Sequence, residues 1–154
     1  CAAMLRVELD YPLLVQGEAP RSELLRRFQT TDNAVLLGTA TFWEGVDVRG
    51  ERLSLVIIDK LPFGVPDDPV TRARSASIAA AGDNPFTSLT LPDAITTLKQ
   101  GAGRLIRDVA DHGVLMIGDI RLRRKSYGRA FLNSLPPMPI TDRLADVQAF
   151  FATR

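Results

Sequence analysis

The sequence predicts an α/β domain with a mostly parallel central sheet covered by helices on both faces. Two observations carry that prediction. The clearest strand candidates, "AVLLGTATF" (34–42) and "RLSLVIIDKLPF" (52–63), are continuous runs of Val, Ile and Leu without polar alternation, as strands buried on both faces are. Segments of helical periodicity alternate with the apolar runs, the pattern of a sheet built by right-handed crossovers. With 154 residues and 45% hydrophobic content, the chain has enough apolar material for one core around such a sheet.

Each element follows from local chemistry. Residues 2–9 have helical character, and "YPLLVQG" places a short apolar run between Pro12 and Gly17, a buried strand closed by a turn. "APRSELLRRF" follows as a helix, with Ser22 at the N-cap or in the first turn and Leu24, Leu25 and Phe28 at helical spacing. After the strands at 34–42 and 52–63, Asp68 caps a helix over 69–80 that begins with Pro69. "AGDNPFTSL" (81–89) is turn chemistry and reads as a loop. "LPDAITTLKQGAGRLIRDVADHG" restarts a long helix near Pro92, ending where Gly113 takes a left-handed conformation. "GVLMIGD" (113–119) is a fourth strand, followed by a basic segment and the proline cluster "LPPMPIT". A last helix, capped by Asp142, turns Leu144, Val147, Phe150 and Phe151 inward. The expected organisation is one domain over 1–141, with a C-terminal helix at 142–154 packing on it.

Composition excludes some chemistry. Nineteen basic and eighteen acidic residues give a formal charge of +1, so any nucleic-acid surface must be local. The single cysteine, Cys1, rules out an internal disulfide and any cysteine-held zinc or iron–sulfur centre within this chain, and it fits a reducing cytoplasm. No apolar run reaches the roughly 20 residues that span a bilayer, so no membrane partner is expected. The sequence opens at Cys1 directly into a helical pattern without a capping signal, which reads as a piece of a longer chain, monomeric by itself.

Two segments carry chemistry. "GTATFWEGVDVRG" follows a strand, where ligands of α/β sheets gather. Its Gly38 and Gly45 allow close backbone approach, Thr39 and Thr41 offer hydroxyls to phosphate oxygens, and Glu44 and Asp47 accept from an arginine or a ribose. An Asx-type turn with Trp43 as packing explains the same residues equally well. In "QGAGRLIR", Gln100, Gly103, Arg104 and Arg107 stand at i, i+3, i+4 and i+7, one face of a helix. Two guanidiniums a turn apart can grip a multiply charged oxyanion. A solvated basic stripe paired with Asp108 and Asp111 is the competing reading.

Together these segments resemble the second motor domain of superfamily 2 helicases: "GTATFWEGVD" looks like motif V and "QGAGRLIR" like motif VI, with its Q-x-x-G-R-x-x-R spacing intact. "LPFGVPDDPV" and "GDIRL…YGRAFLNSLP" narrow the resemblance to the DinG/YoaA branch, relatives of the XPD-type 5′–3′ DNA helicases. The resemblance runs from about Pro12 to Pro136.

It implies a RecA-like (P-loop NTPase-type) domain, the second of two that close around ATP while single-stranded DNA crosses their top. Arg104 and Arg107 would be arginine fingers, with Gln100 orienting them or the attacking water, and Gly103 would allow close approach. Glu44, Gly45 and Asp47 would couple the nucleotide to DNA, with Thr39, Thr41 and Trp43 nearer the nucleic acid. No Gly-Lys pair or Asp-Glu-x-His stretch occurs, so ATP and Mg2+ would be held mainly by an N-terminal motor domain of the same polypeptide. The resemblance further implies a part in DNA repair or replication, a 4Fe-4S cluster in the full-length protein but not in this chain, and no activity in this piece alone. The alternatives are an interaction domain with a RecA-like fold and no enzymatic role, or a DNA-dependent ATPase that does not unwind.

Of the remaining features, His112 sits at the expected helix end, where it favours the helix dipole. The basic run Arg121, Arg123, Arg124, Lys125 and Arg129 fits either a DNA backbone track or a solvated face partly neutralised by Asp119.

Overall fold

A computed structural model describes residues 2–39, 42, 53–65, 67–105 and 112–153. In order, the described elements are α1 (Ala2–Glu8), β1 (Leu13–Val15), α2 (Arg21–Thr30), β2 (Val35–Leu37), β3 (Leu55–Ile58), α3 (Pro69–Ala80), a π-helical turn (Phe86–Thr90), α4 (Leu91–Ala102), β4 (Val114–Ile117), α5 (Arg121–Arg124), α6 (Gly128–Ser134) and α7 (Leu144–Ala152). All four strands fall inside the apolar runs that the sequence marks.

Among the described residues the strands pair in parallel, in two ladders of two strands each. β1 and β2 run in register from Leu13 opposite Val35 to Val15 opposite Leu37, and β3 and β4 from Leu55 opposite Val114 to Ile58 opposite Ile117. One face of β3–β4 is buried: Ile58 joins Leu61, Ala94 and Leu98 of α4 and Phe131 of α6 in the core, with Val56, Leu115 and Ile117 packed against it. Leu98 and Phe131 have no exposure at all. On β3 and β4, Leu55, Ile57 and Met116 are open to solvent, 42%, 59% and 53% exposed. Apolar residues on both faces therefore have helical cover on one face only, among the described residues. On α2, Leu24 and Phe28 are buried.

Helix starts follow the expected chemistry at α3, where the Asp68 carboxylate accepts from Thr71 N at 2.7 Å and Pro69 opens the first turn. Three expectations need correction. The 81–89 segment is not all loop, because Asn84 Oδ1 accepts from Phe86 N and starts the π-helical turn that leads into α4. Asp142 does not cap α7; it pairs with Arg123 at 2.8 Å, and the N-cap is Arg143. On α7, Val147 and Phe150 are half-buried, whereas Leu144 is 72% and Phe151 39% exposed, so the inward face is half of that expected. No helix among the described residues is long and apolar enough to cross a membrane.

Candidate functional site

The first candidate segment leaves the carboxyl end of β2. Gln16, just past β1, accepts through Oε1 from both the backbone N (2.8 Å) and the hydroxyl (3.0 Å) of Thr39, tying the exits of the paired strands together. The Thr39 hydroxyl must leave Gln16 before it can donate to a phosphate oxygen. Gly38 is in an ordinary conformation, not at positive φ. A Cβ there would lie 3.0 Å from Phe42 Cβ, so the space left by the missing side chain belongs to Phe42. Phe42 is 5% exposed, its carbonyl accepts from Arg21 Nη2 at 3.0 Å, and the Arg21 guanidinium lies 5.3 Å from its ring centre. Phe42 is packing. Thr41, Trp43, Glu44, Gly45 and Asp47 lie outside the described residues.

The second segment departs from the helix expected of it. α4 stops at Ala102, Gly103 is its C-cap at φ −66° and ψ −6°, and Arg104 and Leu105 continue as tight turns. Their backbone N atoms donate to Gly101 and Ala102, three residues back. Two glycines within three residues weaken the helix where it must continue, and the chain tightens instead. Gln100 is exposed in the last helical turn, Gly103 is exposed, and Arg104 is half-buried just past the negative end of the α4 dipole. These three therefore stand at a helix terminus rather than on one helical face, and Arg107 lies outside the described residues. A Cβ on Gly103 would meet Lys99 O at 3.1 Å, so its tightest neighbour is its own helix. Gly101 is buried.

The turn abuts the amino-terminal ends of β3 and β4. Gly113 is not in the left-handed region; a Cβ on it would come within 2.6 Å of Ser54 O and collide with the Leu105 side chain. Its glycine serves close packing, not helix termination. His112 is exposed in the short segment before β4.

At the opposite end of this ladder is a polar hub that sequence reasoning saw only as charge neutralisation. Asp119, two residues past β4, has a side chain 5% exposed. Its oxygens accept from Leu61 N (2.9 Å), Arg121 N (2.9 Å), Arg121 Nε (2.9 Å) and Arg121 Nη2 (2.6 Å). The Arg121 hydrogen bonds, aided by those two backbone donors, outweigh the cost of burial and hold the carboxyl well below the usual range. Asp119 reciprocally raises the Arg121 guanidinium. The readable signal was "GDIR", an Asp and an Arg two apart at a strand's exit. Among the described residues, no group of three or more His, Cys, Asp or Glu side chains converges as metal ligands would.

A family model described as a helicase C-terminal domain matches residues 2–138. The chain is similar to the ATP-dependent DNA helicase YoaA of Escherichia coli (strain K12), 52% identical over 151 residues, which is 98% of this chain and 24% of that protein. It is similar to the ATP-dependent helicase DinG of Mycobacterium tuberculosis (strain ATCC 25618 / H37Rv), 41% identical over 145 residues, 94% of this chain and 22% of that protein. It is also similar to the 3'-5' exonuclease DinG of Bacillus subtilis (strain 168), 41% identical over 143 residues, 91% of this chain and 15% of that protein. The chain spans about a quarter or less of the length of these relatives.

Proposed function

The chain belongs to the helicase C-terminal domain family, in its DinG and YoaA branch, and we propose that it is the second motor domain of an ATP-dependent DNA helicase. The observation that carries this reading is the family match over residues 2–138, which includes both motif-like segments in order. In this role residues 1–141, with the C-terminal helix at 142–154, form one RecA-like domain that works in the cytoplasm on single-stranded DNA. In this reading β1–β2 and β3–β4 are parts of one sheet.

The chemistry is attack of water on the γ-phosphate of ATP, whose magnesium and phosphate-binding lysine belong to an N-terminal motor domain of the same polypeptide. Arg104 and Arg107 meet the negative charge that develops on the transferring phosphoryl group, and Gln100 orients them or the water. Arg104 stands just past the end of α4, half-buried in this domain, and in this reading it reaches the nucleotide across the domain boundary. Glu44, Gly45 and Asp47 couple that event to DNA, and Thr39, Thr41 and Trp43 contact the strand; Thr39 does so by exchanging its Gln16 acceptor for a phosphate. Translocation runs 5′–3′, the setting is DNA repair or replication, and any 4Fe-4S cluster is held outside this chain.

The test is Arg104→Ala and Arg107→Ala in the full-length protein. Each is expected to lower DNA-stimulated ATP turnover by about 10³-fold or more, while affinity for single-stranded DNA stays within about twofold, inside the roughly 1.4 kcal/mol that makes a tenfold change. Near-parental turnover in both variants overturns the assignment.

A further inference from the structure

We propose that the corner formed by α5 and the start of α6 is a single-strand nucleic-acid subsite, in which an aromatic cavity takes a base and an adjoining basic cleft takes the flanking phosphates. The proposal rests on the reading of this chain as part of a DNA helicase, and it concerns residues to which that reading gives no role.

The cavity, about 360 Å³, lies between the loop after β3, the π-helical turn and the start of α6. That is within the size range of small-molecule sites. Phe63, Phe86 and Tyr127 meet around it, with ring centres 5.3–6.0 Å apart. Phe63 and Tyr127 are anchored against the core, whereas Phe86 is 37% exposed and offers ring surface at the rim. The Arg121 guanidinium stands 5.1 Å from the Phe63 ring centre. Asp119 holds it there, so its orientation is set before any ligand arrives. Thr90 and Asp93 also line the cavity, a hydroxyl and a carboxylate suited to the edge of a base that carries an exocyclic amine.

The cleft next to it, about 410 Å³, is lined by Arg123, Arg124, Lys125, Ser126, Arg129 and Leu122, with no carboxylate among its lining residues. Arg123 is engaged with Asp142. The remaining Arg124, Lys125 and Arg129 concentrate positive charge on a chain whose net charge is only +1. The two sites are lined by neighbouring residues of one segment: Arg121 and Tyr127 line the cavity, and Leu122 and Ser126, next to them in the chain, line the cleft. Adjacent π-faces and cations are the combination that single strands use, because every base has a face to stack and every link a charge.

The test uses the full-length protein, a fluorescein-labelled oligodeoxycytidylate, and an abasic oligomer of the same length that keeps the phosphates and lacks the bases. Phe86→Ala is expected to weaken binding of the oligodeoxycytidylate by about fivefold or more, the effect of losing one base–aromatic stack, and to leave the abasic oligomer unaffected. Phe86→Trp, which keeps a stacking surface, is expected to bind as the parent does and guards against a folding defect in the alanine variant. Arg124→Ala combined with Lys125→Ala is expected to weaken both oligomers and to flatten the slope of log K against log salt by about 1.4, the value for two lost single-strand phosphate contacts. If the parent binds the oligodeoxycytidylate and both variants match it at every salt concentration, the subsite is overturned while the helicase reading stands. An aromatic-anchored peptide using this corner would give that same result. If the parent binds neither oligomer, both readings fall.

Discussion

Asp119→Asn is expected to destabilise the domain by about 2–3 kcal/mol. The Asn side chain keeps one accepting oxygen and turns an NH2 group toward donors. It can therefore satisfy Leu61 N or Arg121 N, but not both, and it loses the two-pronged contact with the Arg121 guanidinium. Arg121 is 39% exposed, so its pair is discounted to about 1 kcal/mol for solvent screening. A part-buried backbone donor left without a partner adds roughly 1–2 kcal/mol. For a domain of this size the sum corresponds to a fall in Tm of about 5–10 °C, read by circular dichroism on the chain at pH 7. The pH dependence supplies an independent check. Because the folded-state pKa of Asp119 lies below its ordinary value of 3.8, its contribution is complete well above 3.8. It declines as the pH drops below that value and is lost as the pH falls through the folded pKa. The gap in Tm between parent and variant should therefore stay constant from pH 7 to about 5 and narrow below about 4. A variant within about 2 °C of the parent at pH 7, or a gap that widens on acidification, would refute the role given to this carboxylate.

Two further outcomes follow from the same physics. Gly128→Ala places a Cβ against the Leu122 backbone carbonyl, a collision that α5 and α6 can relieve only by moving apart. The expected cost is about 3 kcal/mol, and a thermal melt unchanged from the parent's would show that the corner is more compliant than described. The Asp68 carboxyl, whose acceptance from the Thr71 backbone favours its charged form, should titrate by NMR with a midpoint below 3.8. Protonation in that range frays the first turn of α3, and a midpoint at or above 3.8 would show that Asp68 does not cap this helix.

The sequence was legible where one local rule was enough. The four apolar runs became the four strands, and Asp68 with Pro69 located α3 to the residue, because a buried strand and an N-cap are each set by a few neighbouring side chains. The motif VI-like segment was legible as a family signature but not as a shape. Its i, i+3, i+4 and i+7 spacing invites a continuous helix, yet Gly101 and Gly103 let the backbone tighten after Ala102. Asp142 looked like a cap because a cap needs only Asp before a helical run, while in the structure its carboxylate pairs with Arg123, which is remote in sequence. The Asp119 hub was hidden for the same reason: its partner Leu61 N is 58 residues away, and only the pairing of β3 with β4 brings the two together.

That pairing also closes the longer of the two strand-to-strand loops. The β1–β2 ladder joins residues 22 apart, Leu13 with Val35, whereas β3–β4 joins residues 59 apart, Leu55 with Val114. Closing the longer loop costs about 0.9 kcal/mol more in chain entropy, so the ladder that organises the main core carries the larger closure cost. Asp119 reaches Leu61 only through that closure, and Asp119 in turn holds Arg121 across Phe63. The aromatic corner thus depends on the costlier of the two closures, and a substitution that loosens β3–β4 pairing is felt at the distal binding corner as well as in the core.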